Sequence, residues 1–99
     1  MRAIILAAAL FAAAPAFAQP TAPAPTRAVL VDAAKAPSGR TVIDGAAWRC
    51  EQANCVAGGG ANQPAARACR RFVARLGAVR EFSWKGQSLS AAQLAICNA

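Results

Sequence analysis

The chain has 99 residues and a formal net charge of +7, because 11 lysines and arginines face only 4 acidic residues. This length allows one small domain, and the sequence contains no histidine. Acid–base catalysis at neutral pH mostly needs histidine or a pair of carboxylates, so we expect no enzyme, no catalytic residue, no cofactor and no metal.

The N-terminus predicts export. Arg2 precedes an apolar run from Ala3 to Ala14, Pro15 breaks that run, and "AFA" follows with the small residues that a signal peptidase reads. The run is shorter than the roughly twenty residues of a membrane-spanning helix. We therefore predict a signal peptide over residues 1–18 and a periplasmic or secreted protein that is not transmembrane after cleavage.

The segment after the predicted cleavage site is rich in proline and alanine. Residues 19–26 read "QPTAPAPT" and predict a flexible tether, because prolines among small residues cannot build a core. The remainder, 27–99, is predicted to be a single small domain. A core of this size is marginal without a covalent staple.

Four cysteines supply that staple: Cys50, Cys55, Cys69 and Cys97. An even number in a small exported chain predicts two disulfides, for which three connectivities exist. "AAWRC" and "CVA" read as strands joined by "EQAN", a four-residue hairpin loop that would place Cys50 opposite Cys55. Cys69 would then join Cys97. Zinc sites and thiol oxidoreductases both favour Cys-X-X-Cys pairs, and this spacing is missing.

The other elements follow from turn and strand signals. "RAVLVDAA" and "VREFSW" read as strands, and Asp44-Gly45 is a hairpin turn that leaves Trp48 and Cys50 on one face. Lys85-Gly86 turns the chain again. "AGGGANQ" reads as a flexible loop.

Two helices are expected in the second half. "PAARACRRFVARLG" has Pro64 in its first turn and Gly77 just past its end. The second helix begins at a capping box of Ser90 and Gln93. The first helix has a stripe expected to be buried: Ala65, Cys69, Phe72, Val73 and Leu76. The prediction is an α+β fold, a small antiparallel sheet of hairpins with two short helices on one side, stapled by two disulfides.

A recognisable pattern extends over residues 41–98. It consists of the four cysteines, Trp48, Gly77, Phe82, Gly86, Leu89, Leu94 and Asn98. This pattern resembles a family of small exported four-cysteine proteins of alphaproteobacteria, without assigned function. The resemblance implies a signal peptide and a structural role for the cysteines, and it carries over no catalytic or binding residue.

One surface is a candidate for binding. Arg67, Arg71 and Arg75 recur at helical spacing, joined by Arg70, and like charges at this spacing repel. Such a cluster fits phospholipid headgroups, lipopolysaccharide or an acidic protein, whereas nucleic acid is not expected for an exported protein. The alternative is that these arginines only solvate the helix and suit the dipole at its end.

Two function classes follow. One is a structural or interaction module of the cell envelope with a basic helix face. The other is a small periplasmic inhibitor or ligand-binding module that presents the disulfide-closed hairpin loop. Salt discriminates between them, because binding through arginines weakens as ionic strength rises.

Overall fold

A computed structural model describes residues 24–99 of the chain. The predicted signal peptide over 1–18 and most of the predicted tether over 19–26 lie outside the described residues. Within the described part, none of the helices has the length and apolar character needed to cross a membrane.

The described residues form a six-stranded antiparallel sheet and two helices, which confirms the predicted fold class. A single 3-10 turn at Ala33–Lys35 follows the first strand. The strands and helices are β1 (Arg27–Leu30), β2 (Thr41–Ile43), β3 (Ala46–Glu51), β4 (Asn54–Gly59), α1 (Ala65–Leu76), β5 (Val79–Trp84), β6 (Gln87–Ser88) and α2 (Ala91–Asn98).

The strand order is β2-β3-β4-β1-β5-β6. The hairpins β2–β3, β3–β4 and β5–β6 join strands that are consecutive in the chain. Strand β1 instead lies between β4 and β5 and pairs antiparallel with both. The first strand therefore holds the two halves of the sheet together.

Both predicted tight turns have the backbone geometry that their residues favour. Asp44 and Gly45 have φ angles of 49° and 80°, and Lys85 and Gly86 have 49° and 91°. Two consecutive positive φ angles define the type I′ turn, whose twist matches that of the flanking strands. Hairpins β2–β3 and β5–β6 are therefore set by local sequence.

The glycine-rich segment after Cys55 is more ordered than predicted. Its first part continues β4, where Gly58 and Gly59 pair with Ala47 and Ala46 of β3. Gly60 lies against the ring of Trp84, and a Cβ built there would come within 2.8 Å of ring atoms. Only glycine allows the chain to pass this close to the indole. The prediction of a flexible loop was therefore wrong for this part of the segment.

Two residues of the predicted tether contact the sheet. The carbonyl of Pro25 accepts hydrogen bonds from the Gly86 N–H at 2.8 Å and from the Ser83 hydroxyl at 3.2 Å. Thr26 is buried, and its hydroxyl accepts from the Lys85 N–H at 2.9 Å. These two residues, assigned to the tether from their composition, precede β1 and are held on the sheet by hydrogen bonds.

An aromatic cluster fills the space between the sheet and the helices. The ring of Phe72 in α1 lies 4.6 Å from that of Trp48 and 5.7 Å from that of Phe82, both in edge-on geometry. Phe82 stacks in turn on Trp84. Among the described residues the buried Trp48 Nε1 has no hydrogen-bond partner, a cost that the surrounding packing must outweigh.

The helices are positioned as their sequences indicate. Pro64 is the residue before α1, and Gly77, with φ of 102°, ends it. The Ser90–Gln93 capping box of α2 is present in full. The predicted stripe of α1 faces the core with Ala68 added, although Val73 and Leu76 are only partly buried.

The two disulfides have the predicted connectivity. Cys50 and Cys55 are cross-strand neighbours with Cα atoms 4.0 Å apart, and Cys69 joins Cys97 across 6.0 Å. The hairpin loop is shorter than the predicted four residues, because Glu51 pairs with Asn54. One disulfide therefore closes a hairpin of the sheet, and the other ties α1 to α2.

The side chain of Asn98 completes the edge of β5. Its amide nitrogen donates to the carbonyl of Val79 at 2.7 Å, and its amide oxygen accepts from the N–H of Val79 at 2.9 Å. Strand β6 pairs only with Ser83 and Trp84, so Val79 lies beyond its reach. Asn98 thus supplies the two hydrogen bonds that a neighbouring strand would supply.

Candidate anion-binding surface

Four arginines project from α1 into solvent: Arg67, Arg70, Arg71 and Arg75. We call this set the arginine face. At 100° per residue, Arg67, Arg71 and Arg75 form one stripe along the helix, and Arg70 lies on the other side of Arg67. The stripe covers about 12 Å from Arg67 to Arg75, at 1.5 Å per residue.

One member of the arginine face has a carboxylate partner. The Nε of Arg71 donates to Asp44 Oδ2 at 3.1 Å, and the Nη2 of Arg71 donates to Asp44 Oδ1 at 3.2 Å. Gln63 donates a further hydrogen bond to Asp44 at 2.9 Å. The bond from Arg71, followed by the one from Gln63, holds the pKa of Asp44 below the usual range of an aspartate. The pKa of Arg71 is raised by the same contact.

This ion pair was not predicted from the sequence, which explains Asp44 by its turn alone. Asp44 and Arg71 are 27 residues apart, so no local spacing relates them. The contact requires the β2–β3 turn and α1 to lie side by side. Asp44 therefore forms part of the β2–β3 turn and also binds α1 through Arg71.

The other three arginines have no such partner. Among residues 24–99, Arg67, Arg70 and Arg75 form no salt bridge, and neither helix contains an acidic residue. None of these three guanidinium groups is held in an ion pair, although the charge of Arg67 also helps to lower the pKa of Asp44. This difference within the arginine face marks which side chains are available to an external anion.

Two surface hollows lie on either side of the Asp44–Arg71 pair. One, of about 260 Å³, reaches along α1 to Arg75. The other, of about 340 Å³, reaches to Arg67 and is also lined by Asn62 and Gln63. Guanidinium and amide N–H groups are hydrogen-bond donors, so each hollow offers donors to an anionic group.

The opposite surface of the protein has a different charge pattern. The face of the sheet that points away from the helices, here called the outer sheet face, pairs Arg27 with Glu81 at 2.7 Å. Glu51 lies on the same face as Arg49, two residues along β3. Alternation along the strands assigns to this face Arg27, Val29, Val42, Ala47, Arg49, Glu51, Asn54, Val56 and Glu81.

No other candidate site stands out in the described part. Residues 24–99 contain no cluster of three metal-ligating side chains, and all four cysteines are in disulfides. Ser83, which could be a nucleophile beside Lys85, is buried and donates its hydroxyl hydrogen to Pro25. The Ser83 hydroxyl therefore has a structural role, because this hydrogen bond holds the segment at Pro25 on the sheet.

Comparison with known proteins gives a family but no characterised relative. No curated protein and no solved structure matches the chain. A family model described as a family of unknown function, DUF8200, matches residues 6–99 and so covers nearly the whole sequence, including all four cysteines and the arginine face. The chain belongs to this family of unknown function.

Proposed function

We propose that this protein is a non-catalytic interaction module of the cell envelope, exported to the periplasm, whose arginine face binds an anionic envelope component. The observation that carries the proposal is the set of three exposed guanidinium groups without a carboxylate partner on a helix that has no acidic residue. A surface of this kind attracts anions and weakens its hold on them as salt rises.

The cost of the cluster supports a role in binding. Arginines at i, i+4 repel each other by a few tenths of a kcal/mol. The helix dipole explains Arg75, which lies in the last turn, but Arg67 lies in the first turn, where the dipole disfavours a cation. Solvation alone does not require arginine at that position.

The export part of the proposal is supported by the N-terminal pattern and by the two disulfides, which persist in oxidising compartments. We expect the exported protein to begin at Gln19. Intact-mass measurement of protein recovered from the periplasm or the medium tests this. Retention of residues 1–18 in that material would contradict it.

The binding part is tested with two matched triple variants. Arg67, Arg70 and Arg75 are replaced by Gln in the first, and Arg40, Arg49 and Arg80, which are also exposed, in the second. Both variants lose three charges, so they differ only in where the charges lay. Each basic residue near an anionic membrane contributes about 1 kcal/mol. At low salt we expect the first variant to bind phosphatidylglycerol vesicles on the order of a hundredfold more weakly.

The second triple variant is expected to change adsorption only slightly. Equal losses in the two variants would mean that net charge alone attracts the protein, and unchanged adsorption in the first would leave the arginine face without a role in binding. Either result would overturn the proposal. Melting temperatures close to that of the native protein serve as the folding control, since all six side chains are exposed.

The hairpin-loop function receives less support. The loop is a two-residue turn at Gln52 and Ala53, and the carbonyl of Ala53 accepts a hydrogen bond from the Leu30 N–H at 2.8 Å. The tip is thus held beside the end of β1. An inhibitor loop that enters a target pocket would need to project further from the sheet.

A further inference from the structure

Helix α2 exposes an apolar surface that the function proposed above does not use. Ala92, Ala95 and Ile96 point away from the buried Cys97, and we call these three residues the apolar patch. Ile96 is 65% exposed, more than any other large hydrophobic residue among those described. Residues 91–98 carry no charge, so this helix presents to solvent a surface of low polarity.

The second disulfide places Ile96 of this patch near Arg70 of the arginine face. Arg70 follows Cys69, and Ile96 precedes Cys97. The two cysteine Cα atoms are 6.0 Å apart, and consecutive Cα atoms are 3.8 Å apart, so the Cα atoms of Arg70 and Ile96 lie within about 14 Å. Both side chains are exposed on the helical layer. Arg70 and Ile96 are therefore exposed neighbours on the helical layer.

We infer that the occupant of this surface is an anionic lipid bilayer, with the arginine face on the headgroup phosphates and Ile96 inserted at the boundary of the acyl chains. The inference rests on the proposed function and names its partner. Peripheral membrane contacts combine these two features, basic side chains at the headgroups and apolar side chains in the layer below. A soluble anion would interact with the arginines and leave Ile96 in water.

The charge pattern favours this surface over the outer sheet face. Val42 and Val56 are about half exposed there, but Glu51 and Glu81 lie on the same face. An anionic bilayer would repel these carboxylates. On the helical side Asp44 lies beside the arginine face, and it forms a salt bridge with Arg71. Charge complementarity therefore points the helices, and not the sheet, toward the membrane.

The inference is tested with a pair of matched variants of the exported, oxidised protein, Ile96→Gln and Val56→Gln. Both replace an exposed apolar side chain with a polar one, on the helical layer and on the outer sheet face respectively. Burial of the exposed part of an isoleucine corresponds to about tenfold in binding. We expect Ile96→Gln to bind phosphatidylglycerol vesicles about tenfold more weakly and Val56→Gln to bind as the native protein does.

Two further measurements separate lipid from other anions. Binding to lipid-free polyphosphate is expected to be the same for Ile96→Gln and the native protein, because no apolar layer is present. Ile96→Trp is expected to bind vesicles several-fold more tightly, since tryptophan favours the interface. Circular dichroism and melting curves check that each variant retains its helices.

The outcomes distinguish this inference from the proposed function. Vesicle binding that depends on Arg67, Arg70 and Arg75 but is the same in Ile96→Gln and Ile96→Trp would overturn the bilayer inference and leave the anionic interaction standing. Tighter binding to polyglutamate than to vesicles would also overturn the bilayer inference, and would indicate an acidic protein as the binding partner. If vesicle binding does not depend on Arg67, Arg70 and Arg75, both the bilayer inference and the proposed function are contradicted.

Discussion

The helical side of the molecule and the outer sheet face contain similar side chains in different combinations. Each has exposed arginines and at least one exposed branched apolar residue, Ile96 on α2 and Val56 on β4. On the outer sheet face, carboxylates accompany the arginines, as in the Arg27–Glu81 pair. On the helical side, Arg71 is the one member of the arginine face that forms a salt bridge, and its partner is Asp44.

This difference shows that the net charge of a chain does not locate its charged surface. A formal charge of +7 is compatible with an even distribution of arginines. The fold instead concentrates the excess on α1, beside a helix without charges. Binding to an anionic surface depends on that local excess, so substitutions on the two sides should have unequal effects.

The largest expected effect comes from the disulfides, one between the two helices and one within a hairpin of the sheet. Replacing Cys69 and Cys97 by alanine removes a cross-link between residues 28 positions apart in the chain. Replacing Cys50 and Cys55 removes one between residues 5 positions apart. Loop entropy assigns about 3.5 kcal/mol to the first bridge and about 2 kcal/mol to the second. Urea unfolding of the two double variants should therefore rank the helical disulfide as the more stabilising. The opposite ranking would mean that the hairpin bridge determines the global stability.

A smaller effect is expected from Asn98. Asn98→Ala removes both hydrogen bonds to the buried Val79, and leaving such groups unpaired costs about 1–3 kcal/mol. Asn98→Asp should also destabilise the protein at neutral pH, since one carboxylate oxygen accepts from the Val79 N–H but the other faces the Val79 carbonyl without a hydrogen to donate. Urea unfolding measures both.

Asn54→Ala is the control for Asn98, because Asn54 is exposed on the outer sheet face and its side chain makes no hydrogen bond among the described residues. A change within about 0.5 kcal/mol is expected there. Equal losses at Asn98 and Asn54 would show that the edge of β5 does not need its asparagine.

The smallest effect is expected from Asp44→Asn, which keeps a residue suited to the type I′ turn and removes the charge. The folded-state pKa of Asp44 is lowered by Arg71, so its contribution to stability is present at neutral pH and is lost as the pH falls through that pKa. The variant should melt slightly below the native protein at neutral pH, and the two melting temperatures should converge in acid.

The same Asp44→Asn substitution also tests the difference in charge between the two surfaces, because it removes the carboxylate partner of Arg71 on the helical side. Adsorption to phosphatidylglycerol vesicles should therefore increase. Glu81→Gln adds the same net charge on the outer sheet face and should change adsorption less. Melting temperatures that stay apart in acid, or equal adsorption of the two variants, would contradict the role assigned to the Asp44–Arg71 pair.

Local features of the fold could be predicted from sequence. Asp44-Gly45 fixes a type I′ turn, Ser90 and Gln93 fix a helix start, and the short spacing of Cys50 and Cys55 fixes a cross-strand bridge. In each case the interacting groups are within five residues of one another. Few alternative arrangements compete over such short distances.

Features that depend on distant contacts could not be predicted in this way. Strand β1 joins β4 and β5 through pairs such as Ala28 with Cys55 and with Phe82, and no local pattern selects those neighbours. The Asp44–Arg71 pair has the same origin. Gly58 was assigned to a loop because glycine disfavours strands, but pairing with β3 outweighs that preference.

The arginine face itself was evident from spacing, but its division into one paired and three unpaired members was not. That division decides which residues to test. Ile96 was also outside the predicted site, because exposure of a single isoleucine depends on how α2 packs against α1 and β5. Its position becomes informative only beside Arg70.

The amide of Asn98 has a consequence for self-association of the protein. Sheets of separate molecules join when a strand edge with free N–H and C=O groups meets another such edge. Asn98 and β6 cover β5 on one side of the sheet, while on the other side β3 continues three residues past its last pair with β2, from Arg49 to Glu51. Asn98 therefore protects the start of β5 from pairing with a strand of another molecule, where β6 is too short to reach.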